Sequence, residues 1–321
     1  MTFPEPYRTR PSRRNDLDAL VQLFEARDDA DVGFIDQARE EILADWAFPT
    51  FDFDRDSVVA ESSDGSIAAY GLVLALDPSV QMFGMGKVHP AHERRGLGAA
   101  LVDEAERSAS ARLRPGVSAP FRTGVPQTDV AAIDLLVGRS YRHARSFWNM
   151  QRALPAHEIV TNMPAGITMR IGSADDEPLV HRLLDEAFRH HFGYEPMTFE
   201  ERQREYLDVP GYDPSLVVLA FADDEPAGAS VNLASDEGIG WVGEIGVLSA
   251  FRRRGVATAL LTRSFAELAA RDHHEVRLGV DTENTTGATH LYDSVGMTVR
   301  RRWDLFEKQM SGAEDSGRRE P

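Results

Sequence analysis

The sequence predicts a mixed α/β fold of α+β-like character, made of two tandem domains that are each a mostly antiparallel sheet flanked by helices. Three observations carry this prediction. The chain has 321 residues, enough for two domains of ordinary size. Its composition, 42% hydrophobic and 27% charged, is that of a globular protein. One segment also occurs twice: Val88-His89-Pro90-Ala91-His92-Glu93-Arg94-Arg95-Gly96-Leu97-Gly98 returns 159 positions later (88 to 247) as Val247-Leu248-Ser249-Ala250-Phe251-Arg252-Arg253-Arg254-Gly255-Val256-Ala257.

The same offset carries Asp16 onto Asp175 and Ala69 onto Gly228; further on it falls to 156 (135 to 291), pairing Leu135-Leu136 and Ser140-Tyr141 with Leu291-Tyr292 and Gly296-Met297. Each half therefore reads in one order. A short strand (Tyr7–Arg10; Ile167–Ile171) precedes an amphipathic helix, which in the second half has Leu179, Leu183, Leu184 and Phe188 at helical spacing. A polar stretch with scattered aromatics follows. Then comes a hairpin, Ser57–Ala60 with Ile67–Leu76, and Leu216–Phe221 with Ala227–Leu233. An apolar strand next runs to Val88 or Val247 and straight into the Arg/Gly loop. The helix after the second loop places Ala257, Leu260, Leu261, Phe265 and Leu268 on one face. A strand, a helix and a last strand close each half, with Phe147-Trp148-Asn149-Met150 read as the last strand of the first. Pro155, Pro164 and Gly166 break the pattern between Leu154 and Gly166. The expected domains are 1–155 and 166–310, with 311–321 a polar, disordered tail.

Composition narrows the function. Thirty-five basic against 52 acidic residues leave a formal charge of −17, the wrong sign for broad nucleic-acid or anionic-membrane binding. The chain has no cysteine, which excludes disulfides, Cys-ligated metals and a Cys-acyl intermediate. Met1 to Arg14 lacks the apolar core of a signal peptide, and the longest apolar run, Ile67–Leu76, is about half of what a membrane span needs. The expectation is a cytoplasmic protein. No exposed apolar stripe selects between monomer and homodimer.

The loop Arg252–Thr258 lies between a strand end and a helix start. Free amides and partial positive charge at that helix start, the small Gly255 and Ala257, and three successive arginines describe a cradle for a pyrophosphate. A solvated basic turn would read alike; two copies in one register favour the cradle.

These residues resemble a known family. The pattern from Val247 through Arg252, Gly255 and Ala257, followed by Asn284, Gly287-Ala288, Leu291-Tyr292 and Gly296-Met297, is similar to the GNAT superfamily of N-acetyltransferases. The doubling resembles its tandem-domain members, the mycothiol-synthase type and acetyltransferases of antibiotic gene clusters. The resemblance spans roughly Tyr7–Leu154 and Ile167–Lys308, and its motifs are sharper in the second half. It implies acetyl-CoA as donor, no metal, and a small-molecule amine as acceptor. By it, backbone groups of Ile245, Gly246 and Val247 would pair with the pantetheine arm. Arg252, Arg253, Arg254, Gly255, Val256, Ala257 and Thr258 would hold the pyrophosphate, Asn284 would contact the donor, and Tyr292 would lie beside its sulfur. Val88, Arg94, Arg95, Gly96, Leu97, Gly98 and Ala99 would form a second donor site.

Acetyl transfer to an amine requires a base for the ammonium proton, a donor to the oxyanion and an acid for the departing thiolate. Without cysteine, direct attack in a ternary complex is the simpler route. Glu244, three residues before Val247, is the candidate base, or a strand glutamate facing solvent. The Val247 amide is the candidate oxyanion donor. Tyr292, with an ordinary pKa near 10, is the candidate acid, or a packing tyrosine; Asn284 can also serve as a helix cap. The first half departs at these points: Glu93 stands for Arg252, Met85 for Glu244, Thr128 for Asn284 and Leu136 for Tyr292. It is expected not to catalyse. Residues His190-His191-Phe192-Gly193-Tyr194-Glu195 with Phe199, Glu200, Glu201 and Tyr206 are expected to border the acceptor, or to be a solvated acidic helix pair. The pairs His190-His191 and His273-His274 lack carboxylates at metal-ligand spacing. The alternative to an enzyme is a silent acyl-CoA-binding module, against which Glu244 and Tyr292 argue.

Overall fold

The alternation of apolar runs and helical stripes resolves into the expected order. The first half builds β1 (Arg8–Arg10), α1 (Leu17–Val32), α2 (Ala38–Trp46), the one-turn α3 (Phe53–Asp56), then β2 (Ser57–Glu61), β3 (Ile67–Leu74), β4 (Met82–Val88), α4 (Leu97–Arg112), β5 (Ser118–Pro126), α5 (Val130–Gly138) and β6 (Arg142–Ala153). The second half repeats it as β7 (Ile167–Ile171), α6 (Glu177–Phe188), the one-turn α7 (Phe199–Arg202), β8 (Val218–Ala222), β9 (Glu225–Ala234), β10 (Ile239–Val247), α8 (Val256–Ala269), β11 (Glu275–Asp281), α9 (Ala288–Ser294) and β12 (Thr298–Ser311). This computed structural model describes residues 3–34, 38–75, 77–155, 163–192, 194–207, 209, 211–235, 237–283 and 288–312. Among them no helix is long and apolar enough to cross a membrane.

Both halves open on the same latch. Arg10 donates to the two carboxylate oxygens of Asp16 at 2.7 and 2.8 Å, and Arg170 to those of Asp176 at 2.7 and 2.6 Å. The same carboxylates accept the amides of Arg13 and Ser173 three residues earlier, fixing where the first helix begins. The counterpart of Asp16 is therefore Asp176, one residue beyond the expected Asp175.

The chain divides into two compact units, and their limits differ from the expected domains. One unit comprises Met1–Ser146 with Trp303–Pro321; the other is Phe147–Arg302. The first unit's strands run β1-β2-β3-β4-β5-β12, and the second's run β7-β8-β9-β10-β11-β6. Each thus takes its last strand from the other half of the sequence. Phe147 to Ala153 pair antiparallel with Asp281 to Glu275, while Trp303 to Ser311 pair antiparallel with Pro126 to Ser118. Burial follows the exchange. Met150 of β6 lies in the second unit's core with Phe265 and Leu278, and Phe306 and Met310 of β12 lie in the first unit's core with Phe121 and Tyr141. The limits 1–155 and 166–310 describe the repeat, not the packing units. A strand keeps its alternation whichever edge it joins, so the pattern alone does not name its partner. Ser311 belongs to β12 and Gly312 bridges to Pro115, so the expected tail begins later; residues 313–321 lie outside the described residues.

Within each unit helices cover both faces of the sheet. In the first, Leu20, Phe24, Ile42 and Trp46 of α1 and α2 pack with Tyr70 and Leu72, and Ala109 of α4 and Leu136 of α5 lie in the cluster holding Phe121. In the second, Val180, Leu183 and Leu184 of α6 pack on Leu219, Ala229 and Val231, and Leu261, Phe265 and Leu268 of α8 pack on Val242 and Val276.

The exchange has a direct consequence. Fragments 1–155 and 166–321, produced separately, each lack a core strand and should fail to give cooperative thermal melts, while coexpression restores a native-like transition. A cooperative melt from either fragment alone would show that the exchanged strand is dispensable.

Candidate active site

β10 and β11 begin side by side and then separate. Their parallel pairing covers only Ile239, Gly240 and Trp241 against Glu275, Val276 and Arg277. Beyond Trp241, one edge of β10 has no strand partner. On its other edge Leu248 donates its amide to the Ala227 carbonyl at 2.9 Å. Backbone groups alternate between edges, so Gly246 turns toward β9 while Ile245 and Val247 turn their N–H and C=O groups to the open side. These are the groups expected to meet the pantetheine arm.

A bulge decides what else faces this opening. Val242 opposes Asn232 and Glu244 opposes Val231, leaving Gly243 as a surplus residue. Before the bulge, Gly240 and Val242 face α8: a Cβ on Gly240 would lie 2.5 Å from Leu268, and Val242 shares the α8 core cluster. Strict alternation would send Glu244 the same way. The surplus residue reverses the parity, so Glu244 and Gly246 face α6. Gly246 is required there, since a Cβ would stand 2.8 Å from Ala187 and 2.9 Å from Leu184.

Glu244 is therefore not a solvent-facing strand residue. Its two carboxylate oxygens accept from the two terminal nitrogens of Arg202, a fork-to-fork ion pair in which the arginine side chain is only 4% exposed and the glutamate 17%. Around the pair lie polar groups of α6. Asp185 accepts from the Tyr194 hydroxyl at 2.5 Å, and Glu177 accepts from Tyr212 at 3.1 Å. Burial and Asp185 push Tyr194 up to about 12. The His181 ring tilts against Phe199 at 5.9 Å, and burial together with Arg202 lowers its pKa below the usual histidine value. His191 stands edge-on to Phe188 at 4.7 Å and is likewise lowered by burial and by Arg252. The stretch expected to border the acceptor supplies Tyr194 and Phe199 to this cluster. His190 is exposed, Gly193 lies outside the described residues, and Thr198 with Glu201 forms a capping box.

The loop after β10 has the backbone of a cradle. Arg253 adopts φ +60° and Gly255 φ +81°, and α8 starts with no side-chain cap. Ala259 is the first α8 amide returned to the helix, bonded to the Gly255 carbonyl at 3.0 Å, which leaves those of Val256, Ala257 and Thr258 available at the helix start. The three arginines divide their work. Arg252 donates to the carbonyls of Val247 at 3.0 Å and Ala187 at 3.2 Å, bracing the loop to α6 rather than reaching out from it. Arg254 lies 5.7 Å over the Phe251 ring and 3.8 Å from Asp223. Arg253 is exposed.

Tyr292 sits in the α8-side core among Met150, Leu261 and Val280, and burial pushes its phenol up to about 12. It keeps its proton where an ordinary tyrosine starts to lose one. Asn284 lies outside the described residues. No group of three metal-ligating side chains comes together among the described residues.

The first unit repeats the frame without this chemistry. β4 pairs with β5 only from Met82 to Gly84, Arg94 and Gly96 have φ +57° and +83°, and Ala100 bonds to the Gly96 carbonyl at 3.0 Å. Its β4, however, pairs with β3 without a bulge. Met85 packs against the α1–α2 core, and Leu136 is buried in the cluster around Phe121. At the place of Gly246 stands Lys87, 3.3 Å from the fully buried Asp28 and 4.4 Å over the Phe24 ring. Glu93 is held by Arg27 of α1 instead of lying free in the loop. Sequence reasoning missed Arg202 altogether. Its only sequence signal is an arginine following the Thr198–Glu201 capping pattern, and nothing there ties it to Glu244.

Comparison with known proteins agrees with this geometry. The profile described as "Acetyltransferase (GNAT) family" matches residues 179–297. The chain is 32% identical over 241 residues to a mycothiol acetyltransferase of Kineococcus radiotolerans, covering 73% of this chain and 76% of that one. It is 28% identical over 255 residues to a mycothiol acetyltransferase of Saccharopolyspora erythraea, covering 77% and 82%. Among solved structures, a GCN5-related N-acetyltransferase from Sphaerobacter thermophilus has 32% identity and TM-score 0.85 over 99% of this chain and 100% of that one. A tandem GNAT protein of the clavulanic acid biosynthesis pathway shares the fold at 15% identity, with TM-score 0.71 over 96% and 100%.

Two substitutions separate the parts of the loop. Gly255→Asp adds about 1 kcal/mol of left-handed strain, a Cβ 3.1 Å from Pro164 and a negative charge at the helix start; titration calorimetry should show at least a tenfold loss of acetyl-CoA affinity. Arg252→Ala should instead lower the melting temperature, because two backbone carbonyls lose their donor. An unchanged melt for Arg252→Ala would refute the bracing role.

Proposed function

The chain belongs to the acetyltransferase (GNAT) family, and on that premise we propose that its second unit transfers acetyl from acetyl-CoA to the amine of a small metabolite by direct attack in a ternary complex. The observation that carries this reading is the bulge in β10, which turns Glu244 into the α6 side of the opening beside the free edge of Ile245 and Val247. The loop amides of Val256, Ala257 and Thr258, with Gly255 and Arg253, take the pyrophosphate. The open edge of Ile245–Val247 takes the pantetheine arm, and the Val247 N–H donates to the carbonyl oxygen as charge develops on it. Glu244 accepts the ammonium proton, freeing the nitrogen lone pair for attack. Tyr292, kept protonated by its burial, supplies the proton to the departing sulfur.

The first unit does not catalyse in this reading. Met85 and Leu136 offer no proton chemistry where Glu244 and Tyr292 stand, and the Lys87–Asp28 pair fills the space that Gly246 leaves for α6. Acetyl-CoA at its loop of Arg94, Arg95, Gly96, Leu97, Gly98 and Ala99 would be a structural or regulatory ligand. Amino-thiol acceptors of the mycothiol type come first in any panel, because relatives at 28–32% identity are mycothiol acetyltransferases.

The test is CoA release from acetyl-CoA across small amines and amino-thiols, with variants alongside. Tyr292→Phe should lower kcat by about 100-fold, within the range for a general acid, and leave acetyl-CoA affinity nearly intact. Gly96→Asp should leave turnover unchanged. Silence of the native protein across the panel with acetyl-CoA still bound would favour an acyl-CoA-binding module. Loss of turnover in a folded Gly96→Asp protein would overturn the division of labour.

A further inference from the structure

We propose that Arg202 is a positioning residue for Glu244: its buried guanidinium holds both carboxylate oxygens and aims the group at the open end of β10. The proposal rests on Glu244 being the proton acceptor. Beyond the bulge Glu244 faces α6, as its counterpart Met85 faces α1 and α2 in the first unit, and its place is mostly closed to water. A carboxylate left alone in such surroundings shifts toward its neutral form, which accepts no proton. Arg202 counters this with two terminal nitrogens on two oxygens, a geometry that also fixes the plane of the carboxylate.

The guanidinium follows a capped turn. Thr198 and Glu201 close a reciprocal cap at the start of α7, with the Thr198 amide donating to Glu201 at 2.7 Å and the Glu201 amide to the Thr198 hydroxyl at 3.2 Å. Arg202 follows immediately. Other charged groups do not supply the same effect. From α6, His181 is held toward its neutral form, Arg182 acts on it at a distance, and Asp185 and Glu177 add negative charge while engaged by Tyr194 and Tyr212. From β11, Arg277 is paired with Glu275 at 2.5 Å, and from α8, Arg263 is paired with Glu267 at 2.7 Å.

The step this serves is a proton transfer: an N–H bond of the acceptor's ammonium breaks, an O–H bond forms on Glu244, and the nitrogen keeps its electron pair. Arg202 takes no part in the transfer itself; it bonds the two oxygens of the carboxylate that accepts the proton. Its effect is on when the carboxylate is available, so it is read in pH dependence rather than in rate alone.

The experiment compares kcat/KM against pH for the native protein, Arg202→Lys and Arg202→Met. Arg202→Met should move the acidic limb upward by at least one pH unit, a tenfold change in the proton concentration that halves activity, with KM for acetyl-CoA unchanged. Arg202→Lys should return the limb toward its native position. An acidic limb that stays in place in a folded Arg202→Met protein overturns the proposal, whatever happens to the rate. The pair is also read without turnover, so that a failure of the proposed activity is told apart. Glu244→Gln should lower the melting temperature of the native protein but not that of Arg202→Met. Equal effects in both backgrounds would show that the two groups are uncoupled and sink the proposal.

Discussion

A strand offers two faces and two edges, and β10 redistributes its residues among them with one surplus glycine. Gly240 and Val242 build the core under α8. After Gly243 the parity reverses, and the same strand presents Glu244 and Gly246 to α6. Because β11 has separated by then, the reversed segment also has an edge without a strand partner, on which Arg252 takes up the Val247 carbonyl. The bulge thus lets one strand serve the core before it and carry the carboxylate after it, while the separation of β11 opens the edge. The arginine that meets Glu244, the close approach of α6 to Gly246 and the Arg252 brace to Ala187 all follow from where that segment points.

The two units show how one frame is kept while its chemistry changes. Both join the loop to the first helix, but by different bonds. In the first unit Arg27 of α1 holds Glu93 of the loop. In the second, the loop residue at that position is Arg252, which donates to the carbonyl of Ala187, the α6 residue that corresponds to Arg27. The left-handed loop residues and the uncapped helix starts are the same in both. What differs lies on the strand and in the buried helix positions: Met85 and Leu136 on one side, Glu244 and Tyr292 on the other.

Much of the frame was legible in the sequence. The doubled loop, the hairpins and the helices could be read because local periodicity and the Gly/Arg punctuation reflect constraints within a few residues. The Glu244 and Tyr292 candidates came from the family resemblance, which says nothing of their surroundings. That Glu244 meets a buried arginine, and that Arg252 braces two carbonyls instead of pointing outward, depend on contacts across 42 and 65 residues of chain. Asp16 was matched one residue away from its true counterpart, since only the latch with Arg10 and Arg170 distinguishes Asp175 from Asp176.

The sequence by itself determined the duplication, the mixed fold, the doubled Arg/Gly loops and the absence of cysteine, because each is a local or compositional property. The tertiary structure alone decided three things. It gave each unit the other half's last strand, since alternation does not identify a partner edge. It turned Glu244 to the α6 face, since a bulge is a property of paired strands and not of one strand's pattern. It buried the Tyr292 ring, since a tyrosine on an amphipathic helix acquires its surroundings, and so its hold on the proton, only when the core closes around it.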